Sequence, residues 1–199
     1  MRNPLTRFAL PALVLLLSVP SASLLAATPS SVDTYKIDGV HSSVGFRVRH
    51  LLSKVQGRFG KAEGTVQIDT KDITKSKVDV TIDVASISTN EEKRDAHLKG
   101  PDFFDAAKFP TITFKSTAVK EVSKGKLEVT GTFTMKGVSK TIVLPITNLG
   151  TAVDPWKNVV AAFEGATRLN RMDYGVSYGA GLVGDDVDID LNIEAKKAN

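Results

Sequence analysis

The sequence predicts an all-β fold, an eight-stranded antiparallel barrel with one short helical insertion between the third and fourth strands. First, apolar and polar residues alternate with a period of two through eight segments, which is typical of strands with one buried and one solvated face. Second, turn sequences rich in glycine separate several of these segments. Third, the chain has no cysteine, so no disulfide can stabilise an open sheet, whereas closure into a barrel removes the sheet edges. A two-sheet sandwich would give the same alternation, and the barrel is preferred for its lack of edges.

Each of the eight segments places its apolar side chains on one face. Residues 78–84 are the most regular example. Residues 123–126 and 136–137 are typical of hairpin turns, and Pro145 indicates an edge or a bulge in the sixth segment. The apolar residues of the segments are, in chain order, Val44, Phe46 and Val48; Val66 and Ile68; Val78, Val80, Ile82 and Val84; Ile112 and Phe114; Leu127, Val129 and Phe133; Ile142, Leu144 and Ile146; Phe163; and Val187, Ile189, Leu191 and Ile193.

The helical insertion lies between the third and fourth strands. Residues 89–99 predict a helix with Thr89 or Asn90 as its N-cap, Glu92 three residues after Thr89, and a stop at residues 100–101. A short turn over residues 102–108 follows, and Pro110 returns the chain to an extended form.

We place the mouth of the barrel at this insertion. Phe103, Phe104 and Phe109 are more apolar than a solvent-exposed loop requires, so they either plug one end of the barrel or gate the access of a ligand. Arg94, His97 and Lys99 stand close by in the sequence and could meet an anionic or carbonyl head group. The sequence leaves plugging and gating equally open.

The first 27 residues predict a secretory signal peptide. Arg2 and Arg7 form a positive start, residues 8–19 are an apolar run too short to span a bilayer, and small residues lead to a cleavage point near Ala27. Residues 28–199 would then form one exported domain. Loss of the two arginines lowers the formal charge from +4 to +2, which is 24 cations against 22 anions. So small a charge argues against a nucleic-acid-binding protein, which needs a basic stripe or patch.

No motif in the chain predicts catalysis, a metal site or a cofactor. The absence of cysteine excludes thiol nucleophiles and sites built on cysteine ligands. Residues 175–179 have the letters G-x-S-x-G of a nucleophile elbow, but no helix or histidine follows them. His41 and His50 face opposite sides if they share one strand, and His97 and Asp95 lie on different helix faces. We therefore expect a protein that is not an enzyme and that holds no metal.

Four blocks of the sequence stand in a recognisable order. They read YKID and HSSVGF within residues 35–46, KRDAHL, PDFFD and KFPT within residues 93–111, GTFTMKGVSK at residues 131–140, and FEGATRLNR at residues 163–171. Together they resemble the YceI-like family of bacterial periplasmic polyisoprenoid-binding proteins. The resemblance implies a lipocalin-like barrel in the periplasm, whose pore holds the isoprenoid tail of a quinone or a polyprenyl phosphate. It leaves open a homodimer and a transient contact with a membrane.

The expected function is therefore a carrier or buffer that binds a polyisoprenoid without turnover. The alternative is a periplasmic enzyme that acts on such a lipid or a related amphiphile through His97 and Asp95. The same alternation would also describe a barrel filled by its own side chains, so the sequence does not distinguish a pore from a packed core. The residues expected to bind the ligand are Phe46, Val48, Ile68, Val80, Ile82, Phe114, Phe133 and Phe163 along the pore, and Arg94, His97, Phe103 and Phe104 at the mouth.

Overall fold

The structure, a computed structural model, describes residues 31–198, so the predicted signal peptide lies outside the described residues. The α-helix α1 (Glu92–Lys99) lies between the sixth and seventh strands, and short 3-10 turns cover Ile73–Lys75, Val84–Ser86 and Arg171–Tyr174. Within this part of the chain no helix has the length and hydropathy of a membrane span. The strands are β1 (Val32–Ile37), β2 (Ser43–His50), β3 (Ser53–Phe59), β4 (Ala62–Asp69), β5 (Lys77–Asp83), β6 (Ile87–Ser88), β7 (Thr111–Ser123), β8 (Lys126–Met135), β9 (Val138–Val153), β10 (Val159–Asn170) and β11 (Val183–Lys197).

These strand segments form a closed antiparallel barrel of eight strands, as predicted. β1 and β2 follow one another along β11, with Ile37 opposite Ala195 and Val44 opposite Leu191, so they are two halves of one bent strand. β3 and β4 form the second bent strand and pair with β2 and β1. β5 and β6 form the third bent strand and pair with β4 and β3. From β7 to β11 each strand pairs with the next, and β11 returns to β1 and β2, which closes the ring.

The alternation is weakest in β3, which the sequence did not predict as a strand. Its inward face reads Val55, Gly57 and Phe59, so an apolar side chain is missing at the centre. A Cβ at Gly57 would lie 2.3 Å from Cζ of Phe46, because that ring already occupies the space on the neighbouring strand. Glycine here is the result of close packing, and it removes the period-two signal from the segment.

The predicted turns and the proline position agree with the observed connections. Lys136 and Gly137 join β8 to β9 with φ angles of 49° and 76°, the left-handed values that a two-residue hairpin turn requires. The ladder between β9 and β10 runs from Val153 only as far as Ile146. Pro145, which has no N–H to donate, is the first β9 residue beyond that ladder.

The helical insertion lies where it was predicted, but its N-cap is different. Glu91 caps α1, and its carboxylate accepts the N–H groups of Lys93 and Arg94 at 3.2 and 2.6 Å. The prediction of Thr89 or Asn90 was wrong, because the Thr89 hydroxyl is already bonded to Asp95. The helix ends at Lys99 with Gly100 as its C-cap, which agrees with the predicted stop.

The two ends of the barrel differ in how they are filled. The packed end carries the connections at residues 70–76, 124–125 and 154–158, and a cluster of Tyr35, Val66, Ala161 and Ala195 fills the interior there. The open end carries the turn at residues 51–52, the insertion at 89–110, the turn at 136–137 and the segment 171–182. The antiparallel order places these four connections together, and the candidate site lies beneath them.

Candidate functional site

An apolar cavity of about 390 Å³ occupies the interior of the barrel toward the open end. All eight strands of the barrel contribute side chains to its wall, as do the insertion that contains α1 and the segment after β10. Nearly all of these side chains are aliphatic or aromatic. The volume is within the range of about 300–1,000 Å³ that is usual for small-molecule sites. The barrel is therefore hollow at one end and packed at the other.

Six of the eight residues expected along the pore border this cavity: Phe46, Val48, Val80, Ile82, Phe114 and Phe133. Ile68 and Phe163 lie outside its wall. Both pack against the cluster of Tyr35, Val66 and Ala161 that closes the packed end. They share the inward face of their strands with the lining residues, but they lie at a height where side chains fill the interior.

All four residues expected at the mouth contribute to the cavity wall. Four residues of the wall are exposed and mark the opening to solvent: His50, Arg94, His97 and Tyr178. The other wall residues are buried or half-buried. Phe103 belongs to the wall beside this opening, and so does Phe104, whose ring lies edge-on to Phe59 at 5.8 Å between centroids. The insertion therefore covers part of the open end and leaves an opening beside it.

His97 is held in place at this opening by three neighbours. Its ring is edge-on to Phe103 and to Tyr178, with centroid distances of 5.0 Å in both cases. Its Nε2 atom lies 2.8 Å from a carboxylate oxygen of Asp102. The polar partner of His97 is thus Asp102 and not Asp95.

Arg94 and Asp95 are both bonded to Thr89. Arg94 donates to the Thr89 hydroxyl at 2.7 Å and to its carbonyl at 3.1 Å. Asp95 accepts the Thr89 N–H at 2.8 Å and the hydroxyl at 2.5 Å. Although burial opposes ionisation of Asp95, these donors lower its pKa below the ordinary value. The pair connects the start of the insertion to α1 and fixes the helix beside the opening.

Arg171 is a wall residue that the sequence reasoning missed. Its side chain is 5% exposed, and burial lowers the pKa of its guanidinium. The group donates four hydrogen bonds of 2.5 to 2.9 Å to backbone carbonyls of the segment that leads into β11, those of Val176, Tyr178, Val183 and Gly184. This segment forms one side of the opening. In the sequence, Arg171 stands out only as the last residue of the block at residues 163–171. Nothing in that block indicates that its side chain is buried.

A second group of ligand-type side chains lies at the bend between β1 and β2. Asp38, His41 and Glu194 bring their nitrogen and oxygen atoms within 4.8 Å of one another. The ammonium of Lys196 stands 2.7 Å from Asp38, so a cation already neutralises that carboxylate. Lys196 and then His41 hold the pKa of Asp38 well below its usual range. We interpret the group as a salt-bridge network, since none of its members borders the cavity.

This network should give the protein a measurable pH dependence of stability. Asp38 raises the pKa of His41 above its ordinary value of 6.5. The stabilisation is therefore complete below the pKa of the unfolded chain and is lost as the pH rises through the higher folded pKa. We expect His41→Gln to remove part of the fall in the free energy of unfolding between about pH 5.5 and about pH 8, measured by urea denaturation.

His50 provides the matched control for this measurement. It is exposed and makes no ion pair with a carboxylate among residues 31–198. His50→Gln should leave the pH dependence as it is in the unmodified protein. A His41→Gln variant that keeps the full dependence would contradict the role given to Asp38.

Comparisons with known proteins agree with this architecture. A family model described as a YceI-like domain matches residues 35–195. A UPF0312 protein of Shewanella sp. (strain ANA-3) is 37% identical over 183 residues, which cover 90% of this chain and 96% of the relative. The crystal structure of BcnA from Burkholderia cenocepacia is similar, with a TM-score of 0.73 at 27% identity, over 80% of this chain and 99% of that one. A polyisoprenoid binding domain from Saccharophagus degradans has a TM-score of 0.63 at 16% identity over 82% and 98%, a likeness of fold alone.

Proposed function

Because this chain belongs to the YceI-like family, we propose that it is an exported lipid-binding protein that holds a polyisoprenoid tail in its apolar cavity, as a carrier or buffer without turnover. The observation that carries the proposal is the hollow half of the barrel, lined by aromatic and aliphatic side chains and open on one side only. The polyisoprenoid binding domain of Saccharophagus degradans, which has the same fold, supports the choice of ligand class.

The cavity matches the physical chemistry of an isoprenoid. The tail is apolar over its whole length, so water disfavours every part of it, and a continuous apolar wall can cover it. Each ~100 Å² of tail removed from water contributes at most about 2.5 kcal/mol before the cost of ordering the chain. The head group would stay at the opening, where Arg94 and His97 offer donors to an anionic or carbonyl oxygen.

The periplasmic location belongs to the proposal as well. It depends on the leader-like residues 1–27 and on the family resemblance. An isoprenoid that has to cross an aqueous compartment needs a carrier that shields its tail from water. Native mass spectrometry of protein purified from an exporting host should therefore show a bound lipid. A bare protein that also refuses an added quinone would count heavily against the proposal.

Filling the cavity gives a sharper test. Val48 and Val187 lie opposite one another on β2 and β11, and both border the cavity. In the double variant V48F/V187F the two rings would enter empty space, so stability should change little. The affinity for a quinone with a geranylgeranyl tail should fall at least about tenfold, measured by titration calorimetry, because the tail loses its contact surface.

The matched control places the same rings outside the barrel. Val122 on β7 and Val143 on β9 are 57% and 50% exposed, and neither belongs to the cavity wall or to a buried cluster. V122F/V143F should bind the quinone as the unmodified protein does. Equal affinities in V122F/V143F and in V48F/V187F would mean that the tail does not occupy this cavity.

The alternative of an enzyme acting through His97 and Asp95 has less support. Asp95 is bonded to Thr89, and His97 to Asp102, so the two do not form an acid–base pair. The discriminating substitution is His97→Ala. Turnover of an amphiphile by the unmodified protein that disappears in this variant, with unchanged lipid binding, would favour the enzyme.

A further inference from the structure

Three leucines are exposed beside the opening of the cavity. Leu51 and Leu52 form the two-residue turn between β2 and β3 and are 57% and 95% exposed. Leu182, 56% exposed, lies next to them, and its carbonyl accepts the N–H of Leu51 at 2.9 Å. We call Leu51, Leu52 and Leu182 the leucine rim. Leucine side chains this exposed gain little from burial in the isolated protein.

The backbone of this turn makes leucine still less favourable. Leu51 has a φ angle of 52°, in the left-handed region where glycine or asparagine is preferred in a two-residue turn. A residue with a Cβ and a branched side chain is strained there. Neither the turn nor the core of the barrel explains an apolar residue at this position, so a contact outside the chain is the better explanation.

The leucine rim is continuous with the wall of the cavity. His50 and Val183 are paired in register, and both border the cavity. Each is the immediate chain neighbour of a rim leucine, Leu51 in one case and Leu182 in the other. Tyr178, in the same segment as Leu182, is 49% exposed and also belongs to the wall. An apolar surface therefore runs from the tip of the rim into the cavity.

The two chain segments that carry the rim have charges of one sign. Residues 49–54 carry Arg49 and Lys54 and no acidic side chain, and residues 176–184 carry no charge at all. Arg49 donates to the carbonyl of Leu52 at 3.3 Å and has no carboxylate partner within the described part of the chain. Lys54 has only a contact of 3.5 Å with Asp188. Exposed apolar side chains flanked by cations are the pattern that binds to the interface of an anionic bilayer.

We propose that the leucine rim docks the open end of the barrel on an anionic lipid bilayer, so that the isoprenoid passes between the bilayer and the cavity without crossing water. The leucines lie among the acyl chains, and Arg49 and Lys54 meet the lipid phosphates. This inference rests on the proposed function for its cargo. The docking itself is measured independently of that cargo.

The test uses the double variant L51N/L52S. Asparagine tolerates the φ angle of residue 51, so the free energy of unfolding should not fall. The first readout is co-sedimentation with vesicles of phosphatidylcholine and phosphatidylglycerol. The second is the rate at which a quinone with a geranylgeranyl tail moves from such vesicles to the protein, and the third is equilibrium affinity for the same quinone in solution. We expect the variant to lose co-sedimentation and to load at least about tenfold more slowly, at unchanged equilibrium affinity.

The control removes two apolar residues of similar exposure at the other end of the barrel. Leu149 and Val153 on β9 are 54% and 67% exposed. L149S/V153S should bind vesicles and load like the unmodified protein. Equal behaviour of L51N/L52S and the unmodified protein in the vesicle assays would overturn the proposal.

Two other outcomes separate the rival explanations. If the unmodified protein self-associates through the rim, sedimentation equilibrium will show a dimer that L51N/L52S abolishes while vesicle binding persists, and the docking proposal is overturned. If the unmodified protein sediments with vesicles but binds no quinone in solution, docking stands and the proposed cargo is wrong.

Discussion

The Phe114→Asp variant should retain no isoprenoid and should lose several kcal/mol of its free energy of unfolding. Phe114 is 7% exposed, borders the cavity and lies opposite Phe133 on β8. Its ring covers Gly131, where a Cβ would lie 2.5 Å from Cζ of Phe114. A carboxylate there has no partner and little water, so it either stays ionised at a high cost or takes up a proton.

Two companion variants isolate the effect of burial. Val122→Asp places the same charge on the same strand at a residue that is 57% exposed, and it should change both stability and binding little. Phe114→Leu keeps the site apolar and should cost far less than the aspartate. Urea denaturation and quinone titration measure both effects. Unchanged melting and binding in Phe114→Asp would mean that the inward and outward faces of β7 have been interchanged.

The Arg171→Leu variant should have the second largest effect, a loss of roughly 3–5 kcal/mol of stability together with a faster release of ligand. One guanidinium donates to four backbone carbonyls, and leucine would leave all four without their donor. Arg171→Lys should recover little of this stability, because a single ammonium cannot reach the four carbonyls that the planar guanidinium reaches.

Local measurements distinguish this loss from a general weakening of the barrel. Hydrogen exchange should increase most in residues 176–184, the segment whose carbonyls Arg171 binds. Arg168→Leu is the matched control, because Arg168 is an exposed residue that pairs with Asp188 at 2.8 Å on the outside of the barrel. Its cost should be at most about 1 kcal/mol. Unchanged exchange at residues 176–184 in Arg171→Leu would contradict the role given to the guanidinium.

The barrel could be predicted from the sequence because alternation reports directly on which side chains face inward. The cavity inside the barrel could not be predicted in this way. Ile68 and Phe46 have the same pattern around them, yet Ile68 packs against a filled cluster and Phe46 borders empty space. The difference depends on how many side chains converge at one height of the barrel, and that number is set by strand register, which alternation does not reveal.

Other features depended on contacts between segments far apart in the chain. Gly57 is required by the ring of Phe46 on the adjacent strand, so β3 lacked a signal of its own. The acceptors of Arg171 are backbone carbonyls, which any sequence provides. Thr89 is of a residue type preferred at an N-cap, but its hydroxyl donates to Asp95 instead. In each case a partner that the local sequence does not specify determines the role of the residue.

The cluster of Tyr35, Val66, Ala161 and Ala195 fills the packed end of the barrel, and none of its members borders the cavity. A pocket with one aperture cannot be threaded, so a tail of the proposed kind would enter with its far terminus first and stop at the bottom of the cavity, short of this cluster. Short prenyl chains would be enclosed completely, whereas longer ones would leave their remaining units outside, next to the head group. The barrel would then measure its cargo, and the number of enclosed units would be set by the depth of the cavity.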